Sequence, residues 1–324
     1  MNPDVVEAIE SLRVGGTLSS EQAAVLSRPA RGELVSVHWE LRTLLYAGVL
    51  LATTGVGLFL KEYHDRLGPA ALASILALAA AVCIVYVFRR SPPFSWEATK
   101  TPHLAVDYVL LLGVLLLGSD LAYVETQFRW LGANWPLHLL IVSILYFLAA
   151  YRFDSRVVLS LALSTFAAWR GVSAALPFSG LRGFDATAVV RANALGCGVL
   201  FLALGYLSVR LRRKAHFEPV YATVGLLLLF GGLLSGVFEW SGEGWLLWEA
   251  ALLVCAGVTI AIAYRLRRPL DFAIGVLAAY LGLMRALAFL LEGSESILAF
   301  TIAFSSLAVL AFLIRMQRRM RAVA

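Results

Sequence analysis

The sequence predicts an all-α protein, a polytopic membrane bundle of about ten transmembrane helices behind a short cytosolic helical hairpin. Three observations carry that expectation. Of the 324 residues, 60% are hydrophobic and only 15% charged, whereas soluble domains run at about 45–50% and about 25%. The mean hydropathy is +0.81. The apolar residues fall in blocks of roughly 20, the length that carries an α-helix across a hydrocarbon core of about 30 Å. This composition excludes disordered, collagenous and disulfide-stapled chains, and it argues against a water-soluble enzyme.

Residues 1–40 form the only sizeable soluble part. Val5, Val6, Ile9 and Leu12 sit at helical spacing, Gly15 and Gly16 break the run, and Ser19 with Gln22 has the form of a capping box ahead of Ala23 to Leu26. Two short helices are expected here. Alone they bury too little apolar surface to be stable, so they are expected to dock on the membrane domain or on a cytoplasmic protein partner. The spans of the membrane domain, residues 41–324, are then read at 41–60, 69–88, 104–124, 135–151, 156–176, 188–209, 219–239, 244–264, 270–291 and 296–314.

The formal charge of +6 does not point to nucleic acid, because of where the charge lies. Residues 1–40 hold six acids against three arginines, and the basic excess flanks the apolar blocks. Lys and Arg mark the cytoplasmic side of a membrane protein. Of the 27 basic residues, 20 fall in the termini and in the loops after spans two, four, six and eight. Five (Lys61, Arg66, Arg129, Arg182 and Arg191) fall on the other side, and the remaining two, Arg170 and Arg285, lie inside spans. Both termini are therefore expected in the cytoplasm. No short apolar run behind Met1 reads as a cleavable signal.

Sliding the chain by 113 positions lays Tyr108 on Tyr221, Trp135 on Trp248 and Tyr151–Arg152 on Tyr264–Arg265. Within one or two residues it also brings Glu125 near Glu239, Trp130 near Trp245 and Arg170 near Arg285. Spans two to five thus resemble spans six to nine, as possible repeats over 69–176 and 188–291. An even number of helices per repeat keeps the orientation, so the expected axis lies along the membrane normal. Aromatic residues also mark membrane interfaces in any bundle, which is the plainer source of such a match.

Ionisable residues inside spans cost roughly 2.5–3.5 kcal/mol each and usually face protein or water. At about 1.5 Å per residue, Asp120, Arg170 and Arg285 lie roughly 21–24 Å from the cytoplasmic ends of their helices, and Glu249 about 6 Å from the opposite end. All four fall in the outer third. The functional reading is an outward cavity in which Arg170 and Arg285, offset by Asp120 and Glu249, hold a small anionic solute by their planar forks. The plainer reading is that these charges lock helix register or snorkel to headgroups. Arg191 and Glu125 lie just beyond them, and Glu125 is placed to pair with Arg129 at i+4.

His138, behind Trp135 and Pro136, is either a proton relay or a hydrogen-bonded packing residue. Cys83, Cys197 and Cys255 each sit in an apolar block and say nothing of redox compartment. No histidine pair has i, i+4 spacing, and no P-loop, H-E-x-x-H or G-x-S-x-G occurs. No metal, cofactor or catalytic residue is therefore assigned.

The run Leu12–Leu26 (LRVGGTLSSEQAAVL) and the block Tyr146–Gly171 (YFLAAYRFDSRVVLSLALSTFAAWRG), following Glu125, Gln127 and Trp135, carry a resemblance. They are similar to the cytosolic start and central spans of a family of bacterial multi-pass proteins, domain of unknown function 2157. The resemblance covers about half of the chain. It implies a protein of the bacterial inner membrane and lends no catalytic residue. The expected function is a carrier or permease-like binder of a small solute. The alternative is a non-catalytic membrane scaffold or sensor that engages a cytoplasmic partner through residues 1–40.

Overall fold

The computed structural model describes residues 3–30, 38–98, 104–175, 186–239, 244–291 and 295–322. Among them there is no strand. Twelve α-helices follow in chain order: α1 (Pro3–Val14), α2 (Ser20–Ala30), α3 (His38–Leu67), α4 (Pro69–Arg90), α5 (Leu104–Phe128), α6 (Leu137–Phe153), α7 (Arg156–Ala175), α8 (Ala186–Arg210), α9 (Glu218–Glu239), α10 (Trp245–Arg265), α11 (Pro269–Leu290) and α12 (Glu295–Ala322). The chain divides into two compact units, Met1–Gly68 and Pro69–Ala324.

In the first unit α1 packs on α2. The capping box forms in full: Gln22 N–H donates to Ser19 Oγ at 3.2 Å and Ser19 N–H donates to Gln22 Oε1 at 3.0 Å. Two orphan amides of the first turn are thereby satisfied. The chain turns out of α1 at Gly16, with φ +72°. Helix α3 is longer than the apolar block that announces it, because Lys61 to Arg66 are helix-compatible and the first breaker is Gly68. Gly68, at φ 77°, ends α3, and Pro69 opens α4.

Eight helices are long and apolar enough to cross a membrane, among the described residues. Two more of the ten expected spans, Thr43–Phe59 and Leu137–Phe153, have shorter apolar stretches. Helix α6, of 17 residues, lies at the lower limit of the spanning range of about 17–25. It is bounded by Pro136 at its start and by Asp154, in a left-handed conformation with φ 59°, at its end.

The helices of the second unit pack as hairpins. Helix α4 pairs with α5, α6 with α7, α8 with α9, and α10 with α11, and α5 and α9 each also contact both helices of the hairpin that follows. Helices α8 and α9 approach closely at Gly198 and Gly225. A Cβ on Gly198 would lie 2.8 Å from Leu229 N and 2.9 Å from Gly225 O, so any side chain there forces the backbones apart. The core continues through Leu226, Phe230, Leu233 and Val237 of α9, Leu252 and Ala256 of α10 and Ala278 of α11. Helix α12 closes on α11 through Met320, packed with Ala263 and Phe272.

The turns after α6 and α10 share one geometry. Asp154 and Arg267, 113 residues apart, both have positive φ, 59° and 55°. Ser155 N–H donates to Ala150 O at 3.1 Å, and Arg268 N–H to Ala263 O at 2.9 Å. These are the closing bonds of Schellman caps. Loop contacts described below bring together the ends of α4, α6, α8 and α10, and this common end carries Arg152, Arg213, Lys214 and Arg268. We refer to it as the basic end.

Candidate functional site

Helix α10 enters the bundle one turn before Glu249. That residue is 5% exposed, and among the described residues neither of its carboxylate oxygens has a hydrogen-bond partner. The carboxylate fits because α11 carries Gly282 opposite it: a Cβ there would lie 2.6 Å from Glu249 Oε1. One turn further along α11, half-buried Arg285 acts on Glu249 through space. A carboxylate in an apolar layer with no donor is costly.

Beside it, at the end of the bundle opposite the basic one, stands a second group of charges. Arg191 of α8 is 6% exposed. Its guanidinium lies 3.3 Å from Glu239 of α9 and 5.3 Å from the ring centroid of Trp248 on α10. The Thr187 hydroxyl also donates to Glu239.

The remaining candidates are dispersed. Asp120 of α5 is 8% exposed, and its Oδ1 is buried without a hydrogen bond among the described residues. Arg170 of α7 is exposed; its guanidinium lies over Trp169, 6.0 Å from the ring centroid, and it acts through space on Cys197 of α8. Helix α7 packs on α5, α6, α8 and α9, whereas α11, bearing Arg285, packs on α9, α10 and α12. Of the four charges placed together from the sequence, Glu249 and Arg285 stand on the paired helices α10 and α11 and act on each other through space, with no hydrogen bond to the carboxylate among the described residues. Glu125 does not pair with Arg129. Arg129 leaves the helix at φ 45°, which removes the i+4 geometry, and Glu125 Oε2 instead accepts from Leu131 N–H at 3.2 Å. His138 has its Nδ1 2.5 Å from Trp135 O and stacks on that indole.

Sequence reasoning missed the charged knots of the basic end. Lys214, only 1% exposed, donates to Asp154 Oδ1 at 2.9 Å, and His216 Nε2 contacts the same oxygen. The Lys214 ammonium lies 5.4 Å and 5.6 Å from the ring centroids of Phe94 and Phe217, and its backbone N–H donates to Trp96 O at 3.0 Å. Arg152 donates to Pro92 O at 3.0 Å, and the Tyr151 and Tyr221 hydroxyls bond at 2.9 Å. In the second knot Arg268 grips Glu218 with both prongs, NH1 to Oε1 at 2.6 Å. That carboxylate holds the Arg268 pKa above its usual value. Asp271 joins at 3.8 Å from Arg268 and accepts from Thr223 Oγ1 at 2.8 Å. The only signal was a short basic loop with alternating Lys214 and His216 facing a lone acid at residue 154. Among the described residues no group of three or more His, Cys, Asp or Glu could hold a metal ion.

The deciding comparison is with protein families. Residues 10–159 match the family of predicted membrane proteins DUF2157. This bears out the resemblance read from Leu12–Leu26 and from the start of the Tyr146–Gly171 block. The DUF2157 match ends in the first turn of α7, so α8–α11, with Glu249, Arg285 and Arg191, lie beyond it. No curated protein and no solved structure matches the chain.

Proposed function

We propose that this membrane protein binds and carries a small, acidic solute, with Arg285 as the group that recognises the anion and Glu249 as its counter-charge in the empty state. The observation that carries the reading is the buried, donor-less Glu249 carboxylate facing Gly282 beside Arg285. An acid retained in that setting has a ligand or a proton to bind. When a solute carboxylate or phosphate takes the guanidinium fork, Glu249 gives up its hold on Arg285 and takes a proton. Asp120, buried on α5, and Arg170, exposed on α7, stand outside this site.

The same reading takes α4–α7 and α8–α11 as parallel repeats. The matching hairpin contacts, the left-handed residues 113 positions apart and the paired cap bonds support it. It also takes the basic end and both termini as cytoplasmic, on the 20 to 5 distribution of basic residues.

The test is counterflow of radiolabelled lactate, succinate and inorganic phosphate in vesicles reconstituted with the full chain. Uptake above protein-free vesicles for at least one of them, lost in Arg285→Ala and uncoupled from a proton gradient in Glu249→Gln, is the expected result. No flux of any probe, together with unchanged thermal stability on adding them, overturns the carrier reading. A scaffold or sensor would then stand ahead, and the exposed Leu12 and Val14 at the end of α1 favour it, as an apolar edge that a protein partner would cover.

A further inference from the structure

Two cavities along α8 and α9 share a wall. One is a groove of about 650 Å³ between α7, α8 and α9, lined by apolar and small side chains such as Ala167, Ala168, Gly171 and Leu228. The other, of about 430 Å³, lies between α8 and α9 and holds Thr187, Arg191, Gly231, Gly232 and Ser235. Ala186, Val190 and Ala194, one helical turn apart on α8, line both. On α9 the lining continues at helical spacing from Val224 through Leu228 and Gly232 to Ser235. That strip is about 16 Å long, close to half of a hydrocarbon core of about 30 Å.

The chemistry changes along this path. The groove is apolar apart from Ser164 and Asn193, and the Asn193 amide is already turned to Ala167 O at 3.3 Å. The upper pocket presents a buried cation, Arg191, and beside it a carboxylate, Glu239, whose side chain is 39% exposed. Arg191 stands six residues into α8, roughly 8 Å from its start, which is headgroup depth rather than mid-membrane. A purely anionic head entering here meets Glu239, and a purely cationic one meets Arg191. A head bearing one group of each sign satisfies both, and an acyl chain attached to it falls into the groove.

We infer that the joined cavities are a site for one zwitterionic phospholipid, its phosphate on Arg191, its ammonium on Glu239 and one acyl chain along the α7–α8–α9 groove. Neither α10 nor α11 lines either cavity, so the site does not include Glu249 or Arg285, although Arg191 packs on Trp248 of α10, and the lipid reading does not depend on transport.

The experiment uses the full chain, purified and stripped of lipid. It is titrated with phosphatidylethanolamine, with phosphatidylglycerol and with phosphoethanolamine lacking chains, and native mass spectrometry counts the adducts while Tm is followed. One phosphatidylethanolamine retained per chain, with a raised Tm, is expected, preferred about tenfold over phosphatidylglycerol. Glu239→Gln should erase that preference. Ala168→Phe, which fills the groove and leaves the charges in place, should weaken retention of the lipid about tenfold or more. Equal retention of both lipids by the unaltered protein, or retention unmoved by Ala168→Phe, means annular lipid only and overturns the inference. Phosphoethanolamine binding as tightly as the intact lipid overturns it too, because the groove then holds no chain. Should Glu239→Gln fail to fold, Ala168→Phe and the headgroup comparison decide the matter between them.

Discussion

Replacing Asp154 by Asn isolates the charge of the Lys214 knot from its shape. Position 154 has φ 59°, a left-handed conformation that Asn tolerates well and Ala does not, so Asp154→Asn adds little backbone strain. What it removes is, among the described residues, the carboxylate bonded to an ammonium that is 1% exposed. At an effective dielectric of about 20, unit charges 2.9 Å apart attract by about 6 kcal/mol, and much of that is offset by desolvation of both ions. Removing one partner leaves the other charge buried, at a cost of about 3–5 kcal/mol. The Asn amide oxygen in the same place can still accept from Lys214 and recovers about 1–2 kcal/mol of it. We expect a net loss of about 3 kcal/mol, measured as the shift in equilibrium unfolding of the second unit in mixed micelles. Lys214→Met should cost a similar amount. The double variant should cost much less than the sum, because no charge is then left alone. A loss below about 1 kcal/mol for Asp154→Asn, or simple additivity in the double variant, would refute the buried-pair reasoning.

Other outcomes follow from the geometry. Gly198→Val should separate α8 from α9 and cost about 1–3 kcal/mol or more, read as a lowered midpoint in the same unfolding assay, since the added Cβ meets backbone rather than a movable side chain. Gly282→Ala presses on Glu249 Oε1. Its destabilisation should be relieved by Glu249→Ala in the same chain, and an unrelieved loss would place the clash elsewhere. Ser19→Ala should cost α2 about 1 kcal/mol, visible as faster amide exchange at Gln22 and its neighbours while the exchange of α9 stays as it was. A reporter active only outside the cytoplasm, fused after Ala324, should stay silent, and activity there would reverse the assigned orientation.

The bilayer explains how much of the fold was legible. It demands long unbroken apolar helices, so the apolar blocks and their order could be read from length alone, and among the described residues eight of the ten reach membrane-spanning length. The capping box at Ser19 and Gln22 was legible because it is local. The ends of α3 and α12 were not, since Lys61 to Arg66 and Arg315 to Arg321 mark the edge of an apolar block and yet continue a helix. At the site, Glu249 stood out as an acid in an apolar run. Spacing along a helix gives depth but not azimuth until neighbours are known, which is why Arg170 was grouped with Arg285 although it lies on a different hairpin and is exposed. The knots at the basic end join residues 60 and 50 positions apart, each of which had a sufficient local explanation as a topology signal.

The segment between α8 and α9 bites two turns with opposite charge: Lys214 and His216 take Asp154, and Glu218 takes Arg268. Translation makes these bites unequal in time. When the segment leaves the ribosome Asp154 has already been made and can be seized at once, but Arg268 is still 50 residues away. During that interval Glu218 is an acid among arginines without its own fork, and α9 has only one of its two flanking hairpins. A chain that stalls, or is cut, before Arg268 therefore keeps its first clasp closed and its second open. In that state Glu218 still lacks the guanidinium that holds it in the finished protein, at the mouth of the unfinished hairpin.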